Sequence, residues 1–147
     1  MRKYKNQKVF FFNIFNYIST SYNAMFKDLL KEENLTQAEV DVLAFFGNNP
    51  EYNHAQDLVD LRGISKANAS MAVDKLVKKG LLDRLPDPKN RRFNILLVDE
   101  SAQPLLKKIQ AIQKEYNEIL YKDIEEEEVQ LYLKTLLRMH KNLGGKG

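Results

Sequence analysis

The chain has no cysteine, which excludes disulfide bonds, cysteine-based zinc sites and thiol redox sensing. Its two histidines, His54 and His140, lie far apart and lack the spacing of metal ligands. There is also no glycine-rich phosphate loop and no clear pairing of a nucleophile with a base. We therefore expect no enzyme, no metal site and no cofactor.

Long apolar runs are missing as well, since no stretch approaches the roughly 18 apolar residues of a membrane span. Four basic residues between positions 2 and 8 precede the apolar residues 9–12, which gives a superficial likeness to a signal peptide. Asn13 and Asn16 interrupt that run, and no small-residue cleavage site follows it. The sequence therefore predicts a cytoplasmic protein that does not cross a membrane.

The composition is that of an ordinary globular protein, with 44% hydrophobic and 29% charged residues among 147. This length suits one compact domain with helical extensions, so we predict a single domain over residues 1–147. Within it, residues 8–31 and 102–143 are predicted to be helical, and residues 144–147 to be a disordered tail.

The helix predicted at residues 9–31 has an unusually wide apolar face. One row recurs at helical spacing and a second row flanks it, so the face is wider than one packing partner requires. The rows are Phe11, Phe15, Ile18, Tyr22, Met25 and Leu29, and Phe10, Ile14 and Tyr17. Such a helix is either fully buried in its own domain or packed on a second subunit as well. We favour the second interpretation because the chain is small for so many aromatic residues.

Two sequence patterns typical of helix N-termini occur in the middle of the chain. Residues 36–39 have the pattern of a capping box, so a helix should follow to about Asn48. Residues 53–56 resemble a second capping box, before a short helix that ends at Gly63. The side chains of that short helix expected to face the core are Ala55, Leu58 and Leu61.

The next predicted helix, residues 66–79, has Ser65 as its N-cap and Gly80 as its C-terminal stop. Its apolar positions follow the i, i+3, i+4, i+7 pattern: Ala69, Ala72, Val73 and Leu76. Strand-like residues 81–85 and 93–98 then flank a turn with prolines. Two helices joined at Gly63 and followed by a hairpin predict a winged helix-turn-helix unit over residues 35–98. The fold class is thus mostly α with a small β-hairpin wing.

Positive charge is concentrated in residues 62–92, which hold nine Lys and Arg against three Asp. This segment has a net charge of +6, whereas the whole chain has +3. Such a concentration is the electrostatic footprint of a surface that meets phosphates.

In a winged helix-turn-helix unit, the start of the second helix meets base edges in the major groove. Asn68 can pair with adenine, and Met71 can touch a thymine methyl group. Lys75 and Lys78 lie further along and either contact phosphate or are merely solvated. The predicted DNA contacts of this helix are Ser65, Lys66, Asn68, Ser70, Met71 and Lys75.

The tip of the hairpin adds Lys89, Arg91 and Arg92. Arginine suits the narrow minor groove, whose negative potential attracts it. Asp87 would be costly beside a phosphate unless it orients one of these guanidinium groups, as a bidentate Asp–Arg pair does. The alternative is an ordinary charged surface turn.

The order of these elements resembles the MarR family of bacterial transcriptional regulators. Residues 35–39, 75–84 and 87–92 carry the resemblance, which is strongest from Lys79 to Arg92 and extends over about residues 8–143. It implies a homodimer in which the first helix and the last two form the interface. Each subunit would insert residues 65–79 into the major groove of a pseudo-palindromic operator and Arg91 or Arg92 into the minor groove. Such recognition helices often carry arginine where Met71 stands.

Many members also bind a small aromatic or amphipathic ligand between the dimer helices and the winged unit. The resemblance therefore implies a repressor that such an effector releases. Phe15, Tyr22 and Phe46 are candidate pocket residues, for which ordinary core packing is the alternative. Two other functions stay open: a winged unit that binds a protein partner instead of DNA, and ligand binding without regulation.

Overall fold

A computed structural model of the chain describes residues 7–146. These residues form helices and one two-stranded antiparallel sheet, which confirms the predicted fold class. The elements are α1 (Gln7–Met25), α2 (Lys27–Glu33), α3 (Gln37–Asn48), α4 (Ala55–Asp57), α5 (Lys66–Lys78), β1 (Leu82–Pro86), β2 (Asn94–Val98), α6 (Gln103–Leu120) and α7 (Glu126–Asn142). The chain divides after Gln37 into two compact units, and the prediction of a single domain stays a prediction.

The first unit differs from the single helix predicted over residues 9–31, because the helix breaks at Phe26. The Phe26 amide donates to the Asn23 carbonyl oxygen, three residues back, at 3.1 Å. This is a tighter turn than the α-helix makes, and α2 starts after it. Phe26 lies off the predicted apolar rows, yet its side chain is fully buried and its ring centroid is 4.9 Å from that of Tyr22.

In the second unit, α3 forms where it was predicted, and the apolar side chains of Val40, Leu43 and Phe46 are buried. Gly47 is needed near its end because a Cβ there would lie only 2.5 Å from Leu106 of α6. The side chain of Asn48 bonds to two glutamines of α6, Gln110 and Gln113, at 3.0 and 2.9 Å. The end of α3 is thereby held against α6.

Helix α4 starts one residue later than predicted. Its N-cap is His54 rather than Asn53, and its capping partner is Asp57 rather than Gln56. The Asp57 carboxylate accepts the backbone amide of His54 at 3.0 Å.

The chain after α4 forms a π-helical turn at Leu58–Arg62, in which the Gly63 amide donates to the Leu58 carbonyl oxygen five residues back. Leu58 is fully buried, but Ala55 and Leu61 are exposed. A π turn has more residues than an α turn, which rotates Leu61 away from its expected position, whereas Ala55 precedes this turn and is the first residue of α4. The expectation that all three face the core was therefore wrong for two of them.

Helices α6 and α7 occupy the two predicted C-terminal segments, with Pro104 in the first turn of α6. Helix α6 buries one face, whereas the only buried residue of α7 is Val129. After α7, the Gly145 amide donates to the His140 carbonyl oxygen at 2.9 Å. Gly147 lies outside the described residues, and disorder of the tail stays a prediction. Across residues 7–146, no helix combines the length and apolarity that a bilayer span requires.

Candidate nucleic-acid interface

Local chemistry sets both ends of α5. The Ser65 hydroxyl accepts the backbone amide of Asn68 at 3.2 Å, so Ser65 is the N-cap that the sequence predicted. Gly80 has a φ of +72°, the left-handed conformation that ends helices and that glycine adopts without strain. The four predicted core residues of this helix are all buried. Its inner face is therefore held by the rest of the unit, and its outer face is free to present polar groups.

All nine residues predicted to contact DNA are exposed to solvent. Met71 is 58% exposed in the middle of the outer face of α5. The Ser65 hydroxyl oxygen accepts one backbone amide, and its O–H remains to donate to a base or phosphate. The nine residues are Ser65, Lys66, Asn68, Ser70, Met71, Lys75, Lys89, Arg91 and Arg92. Their contacts with DNA stay predictions.

The structure sorts the nine cations of residues 62–92 into two groups. Three are neutralised by acidic residues of the same unit: Arg62 pairs with Asp41 at 3.5 Å, Lys79 with Glu39 at 2.9 Å, and Arg84 with Asp74. The other six form no ion pair within residues 7–146. They are Lys66, Lys75, Lys78, Lys89, Arg91 and Arg92.

Glu39 forms a buried ion pair that sequence reasoning, which placed it only in a capping box, did not identify. Its carboxylate is 1% exposed and pairs with Lys79, directly after the last residue of α5. Arg84 on β1 likewise contacts Asp74 on the outer part of α5. These two pairs hold the end of α5 to α3 and the wing to α5. No sequence signal links positions so far apart.

The wing is the hairpin of β1 and β2, in which Arg84 lies opposite Leu96. Its turn is closed by the Asp87 amide, which donates to the Phe93 carbonyl oxygen at 3.0 Å. Lys89, Arg91 and Arg92 lie in that turn and are exposed. The cationic tip is thus at the far end of the hairpin from its junction with α5.

Asp87 does not pair with an arginine, contrary to the sequence-based expectation. One carboxylate oxygen lies 2.9 Å from Nε2 of His54, and the other accepts the Lys89 backbone amide at 2.8 Å. The residue is only 8% exposed, so its charge faces into the unit instead of toward a bound duplex. Burial of the carboxylate against α4 explains why the guanidinium groups of the tip remain unpaired.

These contacts lower the pKa of Asp87. The hydrogen bond with His54 is the largest cause, and the bond from the Lys89 amide is the next. A carboxyl group with a depressed folded-state pKa stabilises the fold above its unfolded pKa, and this contribution is lost as pH falls. The wing should therefore loosen in acid.

A groove of about 510 Å³ runs between α5 and the wing. Lys66 and Ser70 line it from the helix, while Arg84 and Arg92 line it from the hairpin, and His54 lies at its α4 side. Three of these five side chains are cationic, but Arg84 is paired with Asp74, which also lines the groove. Lys66 and Arg92 are the lining cations left to meet a phosphate.

The three candidate effector-pocket residues lie in different units. Phe15 and Tyr22 are on α1 in the first unit, and Phe46 is on α3 in the second. Phe46 is buried and lines a cavity of about 450 Å³, together with Tyr52, Leu106 and residues of β2. The role of each in binding an effector stays a prediction. Residues 7–146 contain no group of three or more His, Cys, Asp or Glu placed to hold a metal ion.

Comparison with known proteins identifies relatives of this fold. Residues 33–92 match the sequence profile of the MarR family. A MarR family transcriptional regulator of Listeria monocytogenes, crystallised with a 26mer DNA, is 22% identical, with a TM-score of 0.78 over 90% of this chain and 87% of that one.

Two further structures are similar over most of their length. A MarR protein of Peptoclostridium difficile is 24% identical, with a TM-score of 0.75 over 90% of this chain and 86% of that one. A MarR family regulator of Silicibacter pomeroyi is 21% identical, with a TM-score of 0.75 over 88% and 86%. The predicted resemblance to the MarR family is confirmed, and the comparisons favour regulation of transcription over binding of a protein partner.

Proposed function

Residues 33–92 of this chain belong to the MarR family of transcriptional regulators, and we propose that the chain acts as a homodimer that binds a pseudo-palindromic DNA operator. In this proposal α5 enters the major groove, and the tip of the wing reaches the minor groove. Regulation is by repression, which a small aromatic effector relieves.

The distribution of charge is the observation that carries the proposal. The six cations without an acidic partner lie on two structures only, the outer face of α5 and the tip of the wing. Phosphate contacts supply most of the affinity of a protein for duplex DNA, and unpaired Lys and Arg make them without first breaking an ion pair. The Listeria relative, which has the same fold, was crystallised with DNA.

Exposed apolar side chains support the dimer. On α1, Phe10, Phe12 and Tyr17 are each more than 60% exposed. On α7, Leu131 and Leu137 are similarly exposed. Large apolar surfaces of this kind mark interfaces with other chains. A second copy of the chain, which carries the same surface, is the partner that symmetry favours.

The chemistry of α5 also indicates which bases the operator presents. Asn68 can bond bidentately to adenine, and Met71 offers only an apolar contact, which suits a thymine methyl group. Neither side chain favours guanine. We therefore propose that the half-site bases under the middle of α5 are A·T pairs.

Selection from a random DNA pool, followed by anisotropy titration at several salt concentrations, tests the proposal. The log of the association constant should fall steeply with the log of salt concentration, by about 0.9 for each phosphate contact. Replacing Arg91 and Arg92 together by alanine should weaken binding to every sequence and flatten this slope. Asn68→Ala should cost roughly 1–3 kcal/mol on the selected site and relax selection at one position.

Arg62 provides a matched control, since it is a cation of the same segment but is paired with Asp41. Arg62→Ala should leave the salt slope nearly unchanged. If the parent protein retards no fragment at micromolar concentration and low salt, the DNA-binding proposal is wrong and a protein partner becomes the better explanation. If the Arg91/Arg92 variant binds as the parent does, the role of the wing is wrong.

A further inference from the structure

His54 connects the start of α4 to the wing. Its Nε2 lies 2.9 Å from Oδ2 of Asp87, across 33 residues of sequence. The opposite oxygen of the same carboxylate accepts the Lys89 amide inside the wing turn. A continuous series of hydrogen bonds therefore joins α4 to the segment that carries the exposed arginines.

This link lies nearer the tip of the wing than two other attachments. In the middle of β1, Arg84 pairs with Asp74 of α5. In the middle of β2, the Leu96 amide donates to the Asn53 carbonyl oxygen at 2.7 Å. A hairpin held only at those two places could still bend at its turn. The contact between His54 and Asp87 acts beyond them, where the turn begins.

The surroundings of His54 favour a fixed ring. Its ring centroid lies 6.1 Å from that of Phe93 in an edge-on arrangement, and its backbone amide is held by Asp57. The Asp87 side chain is nearly inaccessible at 11%, so the carboxylate has few competing water partners. A hydrogen bond to a partly buried carboxylate is stronger than one between neutral groups in water.

We propose that His54 is a positioning residue for DNA binding: through Asp87 it sets the height of the wing tip above α5. This inference rests on the proposed function. Arg91 and Arg92 can reach the minor groove while α5 occupies the major groove only if the turn is held at the right distance. A turn that is already ordered also loses less conformational entropy when it binds.

His54→Ser separates this role from helix capping. Serine is a favoured N-cap, so α4 keeps a good start, but its side chain is too short to reach Asp87. We expect His54→Ser to weaken binding to the selected operator roughly three- to tenfold, because the lost hydrogen bond orders the wing and does not itself contact DNA. The salt slope should also fall by about one, because wing cations leave the phosphates.

The variant with Arg91 and Arg92 replaced by alanine provides the decisive background. There both guanidinium groups of the tip are gone and Lys89 is its remaining cation, so His54→Ser should weaken binding by less than twofold. A merely structural role of His54 in α4 would give the same loss in both backgrounds, and that result would overturn the inference.

The remaining outcomes distinguish failure of the proposed function from failure of the role of His54. A parent protein that does not bind DNA refutes the proposed function itself. A parent that binds, with a His54→Ser variant of equal affinity and equal salt slope, refutes only the role of His54. If His54→Ser does not fold, His54→Asn takes its place, because asparagine is also a favoured N-cap and its side chain ends well short of Asp87. It should give the same losses in the same two backgrounds.

Discussion

Helices α5 and α7 are both amphipathic in sequence, but the structure uses their apolar faces differently. Helix α5 buries four of its 13 residues, whereas α7 buries only Val129 among 17. Leu131 and Leu137 of α7 are 66% and 70% exposed. An apolar face that is buried within its own chain orients the polar face opposite it, while an apolar face left in water requires another chain.

This difference shows that the same helical spacing of apolar residues can have two structural outcomes. In α5 the outer face carries amides, hydroxyls and lysines that are stable in water, and it stays available for a duplex. In α7 the exposed face is apolar, and its contact with water is unfavourable. Helix α5 is therefore specified by its own unit, whereas the apolar face of α7 is the one that the proposed dimer would cover.

The largest effect on stability should follow from truncating a buried side chain near the C-terminal end of α5. Leu76 is fully buried, so Leu76→Ala should lower the free energy of unfolding by about 2–5 kcal/mol through lost burial and a residual cavity. Chemical denaturation measures this loss. A change below about 1 kcal/mol would mean that α5 is not anchored as the structure shows.

A charge placed on the exposed face of α7 should affect assembly instead. Leu137→Glu should shift the dimer to monomer in sedimentation and lower operator affinity about a hundredfold, because two linked half-site contacts become separate ones. Lys134→Glu introduces the same residue at another exposed position of α7 and is the matched control. A Leu137→Glu protein that remains dimeric would show that this face is not the interface.

The smallest expected effect is a change in Tm that comes from two aspartates, Asp83 and Asp99, where the wing joins α6. The pKa of Asp83 is raised because its carboxyl group hydrogen bonds to that of Asp99, and the pKa of Asp99 is lowered chiefly by a hydrogen bond from Ser101. A carboxyl with a raised folded-state pKa stabilises the fold below its unfolded pKa, and that contribution is lost as pH rises through the folded pKa.

When both groups are ionised, Asp83 and Asp99 are two carboxylates in contact. Asp83→Asn removes one charge and keeps a donor for Asp99, so the variant should have a higher Tm than the parent at pH 7. The difference should shrink as pH falls through the raised pKa of Asp83, because the parent then regains a proton between the two groups. A Tm difference that is independent of pH would contradict this assignment.

Much of the candidate interface could be predicted from sequence because its determinants are local. Ser65 and Gly80 mark the ends of α5, and capping depends on residues within one turn of the helix end. The exposure of the wing cations could also be expected, since a turn between two strands lies at the surface.

The rest depended on residues that are distant in sequence. Asn53 is by chemistry the better N-cap, yet α4 begins after His54, whose ring bonds to Asp87. Asp87 was expected to pair with an arginine beside it in the wing, and no local rule points to a histidine 33 residues earlier. The break of the first helix at Phe26 was likewise not marked by proline or glycine.

The amino-acid sequence alone determined the helical periods, the caps of α5, the hairpin and the concentration of positive charge, because each depends on neighbours along the chain. The tertiary structure decided which of nine cations remain unpaired, which carboxylate holds the wing and which apolar face stays in water. Those outcomes depend on which distant groups come within a few ångströms of one another, and only the folded chain brings them together.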